Sequence, residues 1–113
     1  MGTKTTTLFG ASAASAVWVT KIANYIALAG DLIAANTSGG AFTITLPASP
    51  TIGNAVTVLD AGGSFAVNNL TIANNGNSIQ GVLDTLILDC NNTEVILVYT
   101  GATRGWAVVS TQI

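Results

Sequence analysis

From about Asn24 onward, apolar residues fall in short runs cut by clusters of Gly, Asn, Asp, Ser and Pro. Ala41-Phe42-Thr43-Ile44-Thr45-Leu46 alternates apolar residues with threonine and stops at Pro47. A period of two sends successive side chains to opposite faces, so this run reads as a half-buried strand. Val56 to Asp60 reads as the next, after a turn over Pro50 to Asn54, and Ala61-Gly62-Gly63-Ser64 breaks it. Leu70 to Ala73 leads into Asn75-Gly76, a pair that tolerates positive φ and predicts a hairpin turn. Leu86 to Leu88, Val95 to Tyr99 and Trp106 to Val109 continue the rhythm, separated by Asn91-Asn92 and by the loop Thr100 to Gly105. No stretch combines a helical period with caps. Turn signals at this spacing predict an all-β fold, a small antiparallel β-sandwich or barrel-like domain over residues 23–113.

Residues 1–22 break the pattern. Thr3 to Thr7 is a threonine run, and Gly10 to Ala16 is a string of small residues before Val17-Trp18-Val19. Neither a cap nor a lasting amphipathic stripe supports a helix, and the segment reads as an extended N-terminal arm. Trp18 argues for an ordered arm, because a tryptophan on a free tail leaves a large apolar surface in water. Met1-Gly2 opens a short match to a myristoylation pattern, and Leu8 to Val19 lacks the leucine density of a signal peptide, so neither is read as a targeting signal.

Composition sharpens this picture at one point. Charged residues make up 7% of the chain's 113 residues, against roughly 25% in an ordinary soluble domain. A surface with so few charges is either neutral and rich in Thr and Asn or covered by a partner. Three basic residues and a net charge of −2 cannot neutralise a run of phosphates, which argues against nucleic acid and against anionic membrane surfaces. No apolar run approaches the roughly 20 residues of a transmembrane helix. The lone Cys90 makes no internal disulfide and reads as a small buried hydrophobe.

Candidate chemistry is thin. With no histidine, neither a Ser-His-Asp nor a Cys-His nucleophile can be assembled, and no metal or other cofactor is expected. Asp84 and Asp89 flank a strand at an odd spacing, which places them on opposite faces rather than as a catalytic pair. Gly39-Gly40 and Gly62-Gly63 lack the lysine and helix of a phosphate loop and read as turns. Tyr25, Phe42, Phe65, Tyr99 and Trp106 offer a sugar-stacking platform on one reading and core packing on the more ordinary one. The chain is therefore not expected to be an enzyme.

The segments "TSGGAFTITLP" and "VLDAGGSFAVNNLTI", Gly30-Asp31 before a strand, and the late Tyr99-loop-Trp106 pattern are similar to β-modules of tailed-bacteriophage surface proteins. Such modules occur in tail fibres, tailspike-associated domains and capsid decoration (cement) proteins. The resemblance spans roughly residues 23–110. It implies a homotrimer, and a structural role on the outer surface of the virion after expression in the bacterial host cytoplasm. One expectation is a decoration protein that stabilises the phage head against its major capsid protein. The alternative is a tail-fibre or tailspike module that binds a host glycan. The chain shows no long coiled-coil or β-helix shaft, which favours decoration. In that reading Phe9, Val17, Trp18 and Val19 anchor the arm to the capsid. Val95, Leu97, Tyr99 and Trp106 supply trimer contacts, since a run apolar on both faces exceeds what a thin two-sheet domain buries alone.

Overall fold

A computed structural model describes residues 17–112, and the only regular structure within them is β-strand. In chain order the strands are β1 (Trp18–Lys21), β2 (Tyr25–Ile26), β3 (Leu32–Ala35), β4 (Phe42–Thr45), β5 (Ala55–Asp60), β6 (Leu70–Ala73), β7 (Leu86–Leu88), β8 (Thr93–Tyr99) and β9 (Trp106–Gln112). They make a five-stranded sheet in the order β9-β8-β5-β3-β1 and a four-stranded sheet in the order β2-β4-β6-β7. The alternation of β4 is realised as expected: Phe42 and Ile44 are buried, while Thr43 and Thr45 are half-buried on the other face. Pro47 lacks a backbone N–H to continue the ladder, and the regular pairing stops just before it.

Strand direction corrects the antiparallel expectation, because both sheets are mixed. From β1 to β6 the chain steps to the opposite sheet at every strand. Neighbours within a sheet therefore follow a full crossover, and they run parallel. Trp18 lies beside Leu32, Leu32 beside Thr57, Tyr25 beside Ile44 and Phe42 beside Leu70. These strands wind as a short coil of parallel rungs. Antiparallel pairing enters with β7 against β6 and continues through β5–β8 and the β8–β9 hairpin.

The N-terminal boundary also moves. Trp18–Lys21, expected within the arm, is an edge strand of the five-stranded sheet, and Val19 packs against the core. An arm drawn as residues 1–22 thus overlaps the sheet by one strand. Its remainder, residues 1–16 with Phe9, lies outside the described residues.

Asn75-Gly76 forms its turn, with φ of 52° and 87° and an Asn77 N–H to Asn74 carbonyl bond of 3.3 Å. The turn does not close a tight hairpin. The chain runs on through a loop in which Ile79 bridges both Val82 and Trp106, and only then does β7 pair with β6. That loop lies along the start of β9: the Gln80 N–H donates to the Trp106 carbonyl and the Trp106 N–H to the Ser78 carbonyl, both at 2.8 Å.

The core lies between the sheets. Ile33, Val56, Val58, Val95 and Leu97 come from the larger sheet and meet Ile44, Leu70 and Ile72 from the smaller one, all essentially without exposure. Trp106 is fully buried and lies edge-on to Tyr99, with ring centroids 5.5 Å apart. Asp60, at the end of β5, is a buried acid. Its carboxylate accepts backbone N–H bonds from Ser64 at 3.1 Å, Phe65 at 3.2 Å and Asn92 at 3.0 Å. A buried charge needs such donors, and these tie the loop after β5 to the turn before β8.

Candidate interaction surface

Parity along the strands decides which side chains the core uses and which remain outside. In β8 the residues Thr93, Val95, Leu97 and Tyr99 are buried, so Glu94, Ile96 and Val98 face away from the core. Register extends this outward set across the five-stranded sheet. Its middle row is Trp18, Leu32, Thr57, Ile96 and Val109. One flanking row holds Ala55, Val98 and Ala107, and the other runs Thr20, Ala34, Leu59 and Glu94. Trp18 is 41% exposed, Ile96 37% and Val109 59%. Thr57, in the centre, is only 9% exposed because larger neighbours flank it on both sides. Glu94 is the single ionisable side chain in these rows among the described residues.

The outer face of the smaller sheet is different. Its rows are Thr43, Thr71 and Ile87, and Ile26, Thr45 and Ala73. Threonine occupies its central strands, and isoleucine stands only at the two edge strands. The central strands of the smaller sheet therefore show water mainly threonine, with exposed isoleucine at the edges, while the larger sheet shows it mainly hydrocarbon.

The residues expected at the capsid and at a trimer contact are distributed by the same parity. Val17 is 71% exposed and Trp18 stands on the outward face of β1, whereas Val19 turns inward onto the core. Val95, Leu97, Tyr99 and Trp106 are all taken up by the chain's own core. They are not available to a neighbouring copy in this fold, and the outward residues of the same strands are Ile96, Val98 and Val109. Both faces of the Val95–Tyr99 run are apolar, and the one local signal for its outward parity is Glu94, which shares a face with Ile96 and Val98.

The aromatic platform is not presented either. Phe42, Phe65, Tyr99 and Trp106 are buried. Tyr25 is half-exposed, with the Lys21 ammonium 4.0 Å from its ring centroid. A shallow groove of about 700 Å³ runs past Asn24, Asn36, Ser38 and Phe42. Asn24 Oδ1 already accepts from the Thr43 N–H at 2.8 Å, and Asn36 Oδ1 accepts from the N–H and hydroxyl of Ser38 at 3.0 and 2.7 Å. These acceptors are committed to the loop itself. Asp84 and Asp89 are both exposed on either side of β7, and no cluster of three metal-ligating side chains occurs among the described residues.

One titratable pair is built into the start of the coil. The Tyr25 hydroxyl donates to Asp31 Oδ2 at 2.7 Å, and the Leu28 N–H donates to the same oxygen at 2.8 Å. That hydrogen bond, helped by partial burial and by the nearby negative charge, raises the Tyr25 pKa above the ordinary 10.0. The neutral phenol is the form the fold favours. Its contribution to stability is therefore complete below the ordinary tyrosine value and is lost as pH rises through the raised one. Tyrosinate absorbance should show Tyr25 ionising later than a free tyrosine, and Asp31→Asn should return it toward the ordinary value. A Tyr25 titration unchanged by Asp31→Asn would show that the pair does not form in solution.

No protein-family model matches the chain, and no curated protein matches it either.

Proposed function

We propose that this chain is a structural virion protein, a capsid decoration (cement) protein that assembles as a homotrimer on the outer surface of a tailed-phage head and stabilises the shell. The observation that carries the reading is the outer face of the five-stranded sheet, mostly apolar and holding one carboxylate among the described residues. Such a face suits a protein that works by being covered. The resemblance of residues 23–110 to phage surface modules supplies the kind of assembly. The partners in this reading are other copies of the chain and the major capsid protein, with no nucleic acid, membrane or cofactor. Val17 and Trp18 stand at the edge of the sheet, where the chain enters from residues 1–16, and they are the described residues placed to reach the shell. The protein does no chemistry in this role.

Co-sedimentation with undecorated shells tests this. Full-length protein should pellet with the shells, and Trp18→Ala should weaken binding by an order of magnitude or more, the effect of losing about 2 kcal/mol at an interface tryptophan. Three copies per assembly would steepen that loss through avidity. Failure of the full-length protein to bind shells at micromolar concentration would overturn the proposal.

A second reading, a tail-fibre or tailspike module that binds a host glycan, gains from the winding of β1 to β6. The alternation of parallel rungs between two sheets is the build of a solenoid, which the sequence did not lead one to expect. Retention of the protein on host cells, competed by their surface polysaccharide, would favour this reading over decoration.

A further inference from the structure

We infer that the outer face of the five-stranded sheet is the surface on which copies of this chain pack against one another, with the threonine face of the smaller sheet left toward solvent. The inference rests on the self-assembly in the proposed function and assigns it to named residues. Three observations carry it.

The first is the contrast between the two sheets of one molecule. Thr43, Thr45 and Thr71 occupy most outward positions of the smaller sheet's central strands, while Leu32, Leu59, Ile96, Val98 and Val109 hold most of those of the larger, with Thr57 at its centre closed over to 9% exposure and Thr20 at its edge strand. Threonine serves a solvated strand position as well as valine or isoleucine serves a covered one, since both are β-branched. The chain uses threonine where a sheet meets water, so its absence from most of the larger face marks that face as covered.

The second is charge. Glu94 lies in a flanking row, and the middle row contains no ionisable group. A partner chosen by electrostatics would find almost nothing to read. The complementary surface is another nearly uncharged, apolar sheet face, and in a threefold assembly each copy turns its own toward the common axis, one side of it meeting the other side of its neighbour's.

The third is size. Five strands about 4.8 Å apart, with lengths of roughly 13 to 23 Å, outline a face of about 450 Å². Two such faces remove about 900 Å² from water, close to the roughly 1,000 Å² at which specific interfaces begin. Left open, a patch of that size is near the largest that a monomeric protein exposes.

The test is assembly size by sedimentation velocity over a concentration series, for wild type, Ile96→Asp, Val109→Asp and the opposite-face control Thr71→Asp. Far-ultraviolet circular dichroism and thermal unfolding accompany each sample. Wild type should sediment as a trimer of the 11.4 kDa chain. Ile96→Asp should stay folded and dissociate at concentrations at least 100-fold higher than wild type does, and Thr71→Asp should assemble like wild type. Both mutated face positions are exposed in the single chain, so a folded monomer is the expected product. If Ile96→Asp does not fold, Val109→Asp at the margin of the same row decides the matter. A wild-type trimer that both variants leave intact would overturn the face assignment while preserving the trimer. A wild-type dimer broken by either variant would support the face and overturn threefold assembly. A wild type that stays monomeric throughout would overturn the inference, and shell co-sedimentation would then judge decoration separately.

Discussion

Trp106→Ala will strongly destabilise the domain. The indole is fully buried and edge-on to Tyr99 at the start of β9, and a loop strand lies against its backbone. Truncating a buried tryptophan to alanine costs about 3–5 kcal/mol, from lost transfer energy and the cavity left behind. A domain of this size has on the order of 5–15 kcal/mol of stability in all. Urea denaturation followed by circular dichroism should therefore show a midpoint far below wild type. The indole N–H finds no acceptor among the described residues, and Trp106→Phe, which keeps an aromatic ring in the core, should cost distinctly less than alanine. If Trp106→Ala keeps the wild-type midpoint and changes only the assembly size, this residue belongs to an interface and the core described above is wrong.

The second large effect is expected at Gly105, one position earlier. Its φ is +73°, and an added Cβ would collide with the Ser78 carbonyl, whose oxygen accepts the Trp106 N–H at 2.8 Å. Alanine there meets two penalties. The left-handed backbone costs about 1–2 kcal/mol for a residue with a Cβ, and displacing a backbone carbonyl adds a further 1–3 kcal/mol, roughly, as overpacking does. The sum should be roughly 3 kcal/mol in equilibrium unfolding. Gly76 supplies the comparison. Its φ is +87°, but nothing stands near its missing Cβ, so Gly76→Ala should show the backbone penalty alone. Equal losses at the two positions would mean that the loop around Ser78 yields freely.

Much of the strand content was legible because it rests on local physics. The threonine alternation of Phe42 to Thr45 and the runs at Val56, Leu70, Leu86, Val95 and Trp106 all became strands. Direction was not legible. A period of two describes a strand equally well in parallel and antiparallel ladders, and Gly, Asn and Pro end a strand without saying which sheet the next one joins. Asn75-Gly76 adopted its favoured backbone conformation, yet the partner strand lay beyond a further loop. The first strand was hidden for another reason. Trp18–Lys21 has no alternation of its own and is a strand only because β3 offers it an edge. The candidate surface was half legible: the double apolar character of Val95 to Tyr99 stood out, but apart from the signal of Glu94, which parity faces inward depends on the opposite sheet. That information comes from Leu70 and Ile72, which are distant in sequence and supply the other half of the core.

The parallel winding also sets the order in which the chain can assemble. Each rung of the coil pairs with a neighbouring rung of the same sheet, and reaching it means closing a loop through the other sheet. Leu32 stands fourteen positions after Trp18, Thr57 twenty-five after Leu32, and Leu70 twenty-eight after Phe42. Loop closure must precede each pairing, and the entropy lost grows with the separation. The β8–β9 hairpin alone joins adjacent strands across a short loop, and such a hairpin forms locally. It offers β5 an antiparallel edge, and β5 in turn offers the parallel edge that β3 and then β1 require. Growth of the larger sheet from its C-terminal hairpin back toward Trp18 is the order that closes the shortest loop first, and it is opposite to the order in which these strands are synthesised.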